Sequence, residues 1–205
     1  MLASLQEKSS KRILVLANND VGLYRFRKDL LAALLSAGHA VYISLPDGGF
    51  VPELVQIGCR FIDTPIDRRG MNPLHDGKLF RQYRAILREI KPDLVLTYTI
   101  KPNIYGGLAC RMAHIPYAVN ITGLGSTIEN GGWLKKFVLA LYRPALKGAR
   151  VVFSRMPGIV TPSLPPAWCR RDGTWCCTAR ASIWRTTPAS PTRRRDRCAS
   201  SLWDA

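Results

Sequence analysis

Short apolar runs alternate along this chain with longer segments in which apolar residues recur every three or four positions. A short run without polar alternation suits a strand that is buried on both faces. The runs predict strands at residues 13–17, 39–45, 60–62, 94–98, 117–121 and 151–153. The helical spacing predicts helices at residues 23–37, 50–57, 78–90, 104–113 and 133–146. Residues 63–77 are expected to form a long polar loop, and residues 123–132 a glycine-rich one.

Strands that alternate with helices predict parallel βαβ units joined by right-handed crossovers. The expected fold class is therefore α/β, with a Rossmann-like doubly wound parallel sheet built from residues 12–153 and an N-terminal extension over residues 1–11. Ligands of such sheets bind beyond the carboxyl ends of the strands. That rule selects the loops at residues 18–22, 46–50, 99–103 and 122–132.

The composition changes abruptly after Phe153. Residues 155–205 contain no Lys, Glu, Asn, Gln, His, Phe or Tyr, yet they hold nine Arg, four of the five Trp and four of the six Cys. A domain that buries an apolar core should not lose its amphipathic residue types at one point. We therefore expect residues 154–205 to be an irregular tail in the place of a further domain.

A shifted reading frame explains this tail. Codons permitted for residues 155–184, read one base earlier, can give a string that ends in VVLHGSGIDL. Codons permitted for residues 198–205 give RFLFVGR in the same phase. Both strings look like a strand that enters a turn, so a frameshift close to residues 153–156 is the favoured interpretation. The alternative is a native Pro/Arg-rich disordered tail.

The net charge of +16 is distributed over the whole chain, with +10 before Arg155 and +6 after it. Such a surface suits nucleic acid, anionic lipid or phosphate-bearing substrates. The predicted helix at residues 133–146 carries Lys135, Lys136 and Arg143, and could lie on an anionic membrane surface. The alternative is a core-facing helix with a solvated basic edge.

Without a signal peptide or a membrane-spanning run, we expect a cytoplasmic protein, peripheral at the inner membrane face.

Cys59 and Cys110 both lie in apolar surroundings and are expected to be buried thiols in a reducing compartment. The tail cysteines have no spacing typical of metal ligands. His39, His75 and His114 are isolated in the sequence. We therefore expect no metal site.

The first candidate site is the polar turn at residues 18–22. A turn that opens a helix offers free backbone N–H groups and the positive end of the helix dipole. With Asn19, Gly22 and Arg25, it could hold a phosphate or a sugar hydroxyl. The alternative is an ordinary helix N-cap with solvated arginines.

Two further candidates follow the fourth and fifth strands. Lys101 could contact phosphate as a point charge, and Asn103 follows at the start of a helix. Gly106 and Gly107 could let a ligand or the sheet approach closely. The alternative is a turn lysine with packing glycines.

After the fifth strand, Thr122 and Gly123 would face the cleft, and Glu129 could orient a sugar hydroxyl or accept a proton. The alternative is a flexible loop.

The strings TYTIKPNIYGG at residues 97–107 and NITGLGSTIEN at residues 120–130 resemble the N-terminal domain of family 4 glycosyltransferases. These enzymes have the GT-B fold. The resemblance is strongest to the bacterial branch that extends capsule, O-antigen or exopolysaccharide glycans on undecaprenyl diphosphate.

This resemblance implies retaining transfer of a sugar from a nucleotide-linked donor, usually UDP-linked, to a lipid-linked glycan, without a cofactor or metal. The N-terminal domain of the family binds the acceptor, and paired glutamates of the C-terminal domain hold the nucleotide. The resemblance assigns acceptor or diphosphate contacts and leaves the catalytic residues unknown. Those contacts fall on Asn19, Gly22, Arg25, Lys101, Asn103, Thr122, Gly123 and Glu129. Because the donor-binding domain is replaced by the tail, we expect a truncated, inactive fragment.

Two alternatives have a different chemistry. An NAD(P)-dependent oxidoreductase would need a glycine-rich first turn, but Gly22 is the only glycine there, although Asp47 does follow the second strand. A nucleic-acid-binding module would need clustered basic residues with interleaved aromatics. The cluster at residues 193–195 lies in the suspect tail, so nucleic acid is not an expected partner.

Overall fold

A computed structural model of the chain describes residues 10–67, 73–122, 133–154 and 175–178. Its strands form one sheet in the order β3-β2-β1-β4-β5-β6-β7, and every neighbouring pair is parallel. The strands are β1 Arg12–Leu16, β2 Ala40–Leu45, β3 Arg60–Asp63, β4 Leu94–Tyr98, β5 Tyr117–Ile121, β6 Val151–Ser154 and β7 Trp175–Thr178.

The connections between strands are helical. The helices are α1 Asp20–Ser36, α2 Val51–Gln56, α3 Pro73–Ile90, α4 Gly107–Met112 and α5 Trp133–Leu146, with a π-helical segment at Pro102–Gly106 before α4. The chain leaves β1 towards β2 and later returns to pair β4 on the other side of β1. The topological switch point of the doubly wound sheet therefore lies between β1 and β4.

Two buried clusters cover the two faces of the sheet. Leu14 and Leu16 of β1 point into the cluster that contains α3, α4 and α5, whereas Val15 and Ala17 point into the cluster that contains α1 and α2. All four side chains are buried. This explains why β1 reads as a continuous apolar run, because both of its faces are covered by helices. The expected α/β doubly wound architecture is confirmed.

Two element boundaries differ from the sequence-based prediction. Helix α3 begins at Pro73 rather than at residue 78, because proline suits the first helical turn and Asp76 faces the positive end of the helix dipole. The predicted helix at residues 104–113 begins instead with a π-helical segment. There Pro102 has no N–H to donate, and Gly106 has no Cβ to hold the backbone away from Leu16.

The expectation of an irregular tail is wrong at Trp175–Thr178. These four residues form β7, which pairs in parallel with β6 from Val151 opposite Trp175 to Ser154 opposite Thr178. Tryptophan and threonine favour strands, and β6 would otherwise leave an unpaired edge. The remainder of the tail lies outside the described residues. Whether it is frameshifted or disordered stays a prediction.

Replacing Tyr83 with phenylalanine should raise the free energy of unfolding by about 1 kcal/mol. The side chain is fully buried, and among the described residues its hydroxyl has no hydrogen-bond partner, which costs about 1–3 kcal/mol. Tyr117 is the matched control, since it is equally buried but its hydroxyl donates to the Ala145 carbonyl at 2.5 Å. Tyr117→Phe should lower stability by about 1 kcal/mol. Urea denaturation measures both, and a loss of stability in Tyr83→Phe would contradict the orphaned hydroxyl.

Candidate functional site

The loops that follow β1 and β4 lie side by side at the switch point, because Leu16 of β1 pairs with Thr97 of β4. The loops that follow β2 and β5 flank them on the same edge of the sheet. Three of the four loops selected from the sequence are therefore brought together within the described residues. Only the beginning of the fourth, Thr122, is described.

The first loop is closed by an N-cap. The Asn19 side chain accepts a hydrogen bond from the Gly22 backbone N–H at 2.5 Å and donates to Asn18 Oδ1 at 2.8 Å. A Cβ on residue 22 would lie 2.8 Å from Asn19 Oδ1, so glycine permits the cap. The Gly22 amide is thus already occupied by a side chain. This geometry is that of an ordinary helix N-cap, the alternative to a phosphate or sugar site that the sequence left open for residues 18–22.

Asp20 was not predicted as a site residue. Its buried carboxylate accepts a hydrogen bond from the Phe50 backbone N–H at 2.8 Å, which ties the start of α1 to the loop that follows β2. Gly48 packs directly against this carboxylate, and a Cβ there would come within 2.8 Å of its Oδ1. The contact spans thirty residues of sequence, so no local pattern could show it.

The two arginines of α1 differ in their surroundings. The Arg27 guanidinium lies 5.1 Å from the centre of the buried Tyr98 ring at the end of β4. Burial raises the pKa of the Tyr98 hydroxyl, and the neighbouring Arg27 opposes this shift. Arg25 is exposed and makes no hydrogen bond or ion pair with any residue that the structure describes. Arg25 is therefore an uncompensated cation on the surface of α1.

Lys101 lies in a shielded ion pair. Its Nζ is 2.7 Å from Asp76 Oδ1, and the two side chains are only 15% and 13% exposed. The Tyr105 hydroxyl donates to the other carboxylate oxygen at 2.9 Å. Burial, then the bond to Asp76 and its charge, raise the pKa of Tyr105 well above its usual range. The charge of Lys101 is thus compensated within the protein, and Asp76 is a site residue that the sequence analysis missed.

The backbone is strained where β4 meets the π-helical segment. Thr99 has a φ of 72°, in the left-handed region that a β-branched residue disfavours. Its carbonyl accepts the Asn103 N–H at 2.9 Å, and its hydroxyl donates to the Tyr98 carbonyl. Strained residues and π-helical turns both concentrate at functional sites. Both features lie at the carboxyl edge of the sheet, directly after β4.

Asn103 is completely buried, so its side chain does not line the cleft. Its amide donates to the Asn120 carbonyl at 3.0 Å and lies 3.4 Å from the Tyr142 hydroxyl of α5. Gly106 packs against Leu16, and Gly107 lies against the Ala145 carbonyl of α5. These residues join the π-helical segment to the sheet and to α5.

The last candidates are only partly described. Thr122 is exposed directly after β5, whereas Gly123 and Glu129 lie outside the described residues.

Of the proposed membrane-facing residues, Arg143 is exposed, and the side chains of Lys135 and Lys136 lie outside the described set. The opposite face of α5 packs into the core through Val138, Tyr142, Ala145 and Leu146. The helix continues through Pro144, whose carbonyl accepts a bond from Arg111 at 3.0 Å.

A cavity of about 790 Å³ opens beside the ion pair, between the segment that follows β3 and the first turns of α3. Asp76 forms part of its wall, with residues 65–67 and the side chains of His75, Lys78, Leu79, Arg81 and Gln82. The cavity lies at the carboxyl edge of the sheet, next to the switch-point loops. It was not predicted from the sequence, because residues 73–77 were expected to be loop.

Cys59 and Cys110 are free and buried, and burial raises their pKa values to about 11 and about 12. They are therefore protonated, unreactive thiols at neutral pH. In the part of the chain that the structure describes, no group of three His, Cys, Asp or Glu side chains could hold a metal ion. None of the described helices is both long and apolar enough to cross a bilayer.

The sheet order and its switch point between β1 and β4 define a Rossmann-like domain. Solved structures with this fold include a glycosyltransferase from Rickettsia africae (TM-score 0.55, 19% identity, 72% of this chain and 37% of that one). They also include an Anabaena protein in complex with UDP-glucose (TM-score 0.53, 17% identity, 82% and 43%). The fold is that of one half of a GT-B glycosyltransferase.

The chain belongs to the family defined by the glycosyl transferase 4-like domain, whose family model matches residues 22–163. A Campylobacter jejuni relative is 29% identical over 143 residues, which cover 67% of this chain. That relative is the N,N'-diacetylbacillosaminyl-diphospho-undecaprenol alpha-1,3-N-acetylgalactosaminyltransferase. The match spans 38% of the relative's length. The family expected from the two sequence strings is thereby confirmed.

Proposed function

We propose that residues 12–153 form the acceptor-binding half of a glycosyltransferase that extends a lipid-linked glycan. The observation that carries this proposal is the similarity to the Campylobacter transferase, whose name specifies a sugar acceptor on undecaprenyl diphosphate. The cleft at the switch point gives such an acceptor a place to bind. Its hydroxyl would attack the donor sugar, and the diphosphate of the donor would leave.

The donor in this proposal is a nucleotide-linked sugar, with UDP as the nucleotide. UDP-sugars occur in the Anabaena structure and in a UDP-GlcNAc 2-epimerase from Neisseria meningitidis with the same fold (TM-score 0.52, 14% identity, 71% of this chain and 41% of that one). The donor would be held by a second domain, as in the family that the chain resembles. No cofactor or metal is part of the proposal.

The proposed roles of the site residues follow from their surroundings. Arg25 is an exposed cation, and we assign it to the acceptor diphosphate. The Thr122 hydroxyl is available to a sugar. Asn19 and Gly22 shape the loop around the ligand, whereas Lys101 and Asn103 support the cleft from behind through Asp76 and Asn120. Gly123 and Glu129 remain predicted acceptor contacts.

A lipid-linked acceptor would place the enzyme at the cytoplasmic face of the membrane. We propose that α5 faces anionic headgroups through the exposed Arg143, with Lys135 and Lys136 as further predicted contacts, since basic residues near such a surface contribute about 1 kcal/mol each. Sedimentation with vesicles should show binding to anionic lipid that salt weakens. Equal binding to neutral vesicles would remove this part of the proposal.

We also infer that residues 154–205 are encoded out of frame. Residues 155–205 contain no glutamate, whereas the family resemblance assigns paired glutamates to the donor-binding domain. The 205-residue chain should therefore transfer no sugar. Sequencing the gene across the codon of Phe153 tests the inference directly. An unchanged frame in independent genomic DNA would overturn it.

Arg25→Ala should weaken binding of a short-chain polyprenyl-diphosphate-linked sugar by about fivefold, because it removes one charge-assisted contact to phosphate. Titration calorimetry with the 205-residue chain measures this effect. Arg150→Ala is the matched control, since Arg150 is also exposed but precedes β6, at the amino edge of the sheet. Equal weakening by both changes would show a general charge effect and contradict the assignment.

A further inference from the structure

The cavity beside α3 has a cationic rim. Lys78 and Arg81 are exposed, and they lie three residues apart, so they are neighbours on one helix face. Neither side chain has a hydrogen bond or an ion pair with another described residue. Two uncompensated cations side by side suit a diphosphate better than a single phosphate, because each phosphoryl group can meet one of them.

Two carboxylates, Asp67 and Asp76, line the same cavity as Lys78 and Arg81, and both already interact with other groups of the protein. Asp76 is compensated by Lys101 at 2.7 Å. Asp67 also lines the cavity and is already engaged in an interaction of its own. Each Asp76 oxygen accepts one bond, from Lys101 or from Tyr105. A carboxylate oxygen can accept two, so Asp76 retains acceptor capacity for a sugar hydroxyl at the back of the cavity.

Three apolar residues complete the wall, together with His75 and Gln82. Leu79 is buried beneath the cavity, and Ile66 and Pro65 close one side. Small-molecule sites measure about 300–1,000 Å³. The cavity of about 790 Å³ falls within that range, and it has room for a sugar and its diphosphate together.

We propose that this cavity binds a sugar joined to a diphosphate, with the diphosphate at Lys78 and Arg81 and the sugar between Leu79 and Asp76. The assignment rests on the proposed function and adds a subsite to it. The same chemistry occurs in a lipid-linked acceptor and in a nucleotide-linked donor. Because the cavity belongs to the acceptor half, the lipid-linked sugar is the expected ligand.

The test compares single variants on one helix. Lys78→Ala and Arg81→Ala should each weaken binding of a short-chain polyprenyl-diphosphate-linked N-acetylglucosamine to the 205-residue chain by about tenfold. Arg88→Ala is the matched control, since Arg88 is exposed on the same helix, about 10 Å further along. It should leave the affinity unchanged. UDP-N-acetylglucosamine is titrated in parallel, and circular dichroism verifies that each variant folds.

The outcomes separate the subsite from the proposed function. Loss of lipid-linked sugar binding in the Lys78 and Arg81 variants, but not in the Arg88 variant, supports both. Unchanged binding in these variants, with the Arg25 effect intact, overturns the subsite and leaves the function standing. If only the UDP-sugar binds, and it depends on Lys78 and Arg81, the subsite stands and the acceptor function fails. If neither ligand binds the unaltered chain, both are overturned.

Discussion

Replacing Asp76 with alanine should lower the free energy of unfolding by about 3–5 kcal/mol, the cost of leaving a buried charge without its partner. Asp76 and Lys101 are both largely shielded from water at 2.7 Å, and the change also leaves the Tyr105 hydroxyl without its acceptor. The pair joins α3 to the junction after β4. We therefore expect the urea midpoint of the 205-residue chain to fall substantially.

Two controls make this result specific. Among the described residues, Asp93 forms an exposed ion pair with Lys11 at 3.8 Å and accepts the Arg12 backbone N–H at 2.8 Å. Asp93→Ala should cost only a small part of the loss expected for Asp76→Ala, because solvent screens the pair and the site of the lost hydrogen bond is exposed. The double variant Asp76→Leu/Lys101→Met removes both charges and should recover most of the loss. If Asp76→Ala were as mild as Asp93→Ala, the pair would be solvated, and Lys101 would be available to a ligand after all.

Replacing Gly106 with alanine should lower the free energy of unfolding by about 2 kcal/mol, because overpacking a core contact costs about 1–3 kcal/mol. A Cβ at this position would lie 2.6 Å from Leu16 Cδ1 and 3.5 Å from Thr97 Cγ2. Leu16 is fully buried in the middle of the sheet, so it cannot move away without disturbing its neighbours. The same urea titration measures the loss.

Gly77 is the matched control for Gly106. It lies inside α3 with open space around its Cα, since no atom would come within 4 Å of an added Cβ. Gly77→Ala should therefore stabilise the chain by about 0.5–1 kcal/mol through helix propensity alone. Opposite signs for the two changes would confirm that Gly106 is a packing glycine. A neutral Gly106→Ala would instead indicate that the π-helical segment lies further from the sheet.

The sequence predicted the sheet well, because its strands are buried on both faces and leave an unambiguous apolar signal. The bounds of β4 and β5 are those predicted, and so are those of α5. The first turn of α3 was missed because His75 and Gly77 are exposed and carry no apolar periodicity. β7 was missed because its residues lie in a segment whose composition argued against any fold.

The site was harder to predict, because its interactions join residues far apart in the chain. Asp76 and Lys101 are twenty-five residues apart, and Asp20 meets Phe50 across thirty. The motif around Lys101 drew attention to the loop that follows β4, but only the structure shows that the charge of Lys101 is compensated. In the same way, Asn103 lies in the motif and points into the core. Local patterns located the loops, whereas tertiary contacts decide which of their side chains are already paired within the protein.

The central claim, that residues 12–153 form an acceptor-binding half, is tested most directly by saturation-transfer NMR on the 205-residue chain. A short-chain polyprenyl-diphosphate-linked N-acetylglucosamine and UDP-N-acetylglucosamine would be present together at equal concentration. The account predicts saturation of the sugar and lipid-proximal protons of the first ligand, with no saturation of the uracil protons of the second. Saturation of the uracil protons, with none on the lipid-linked sugar, would contradict it.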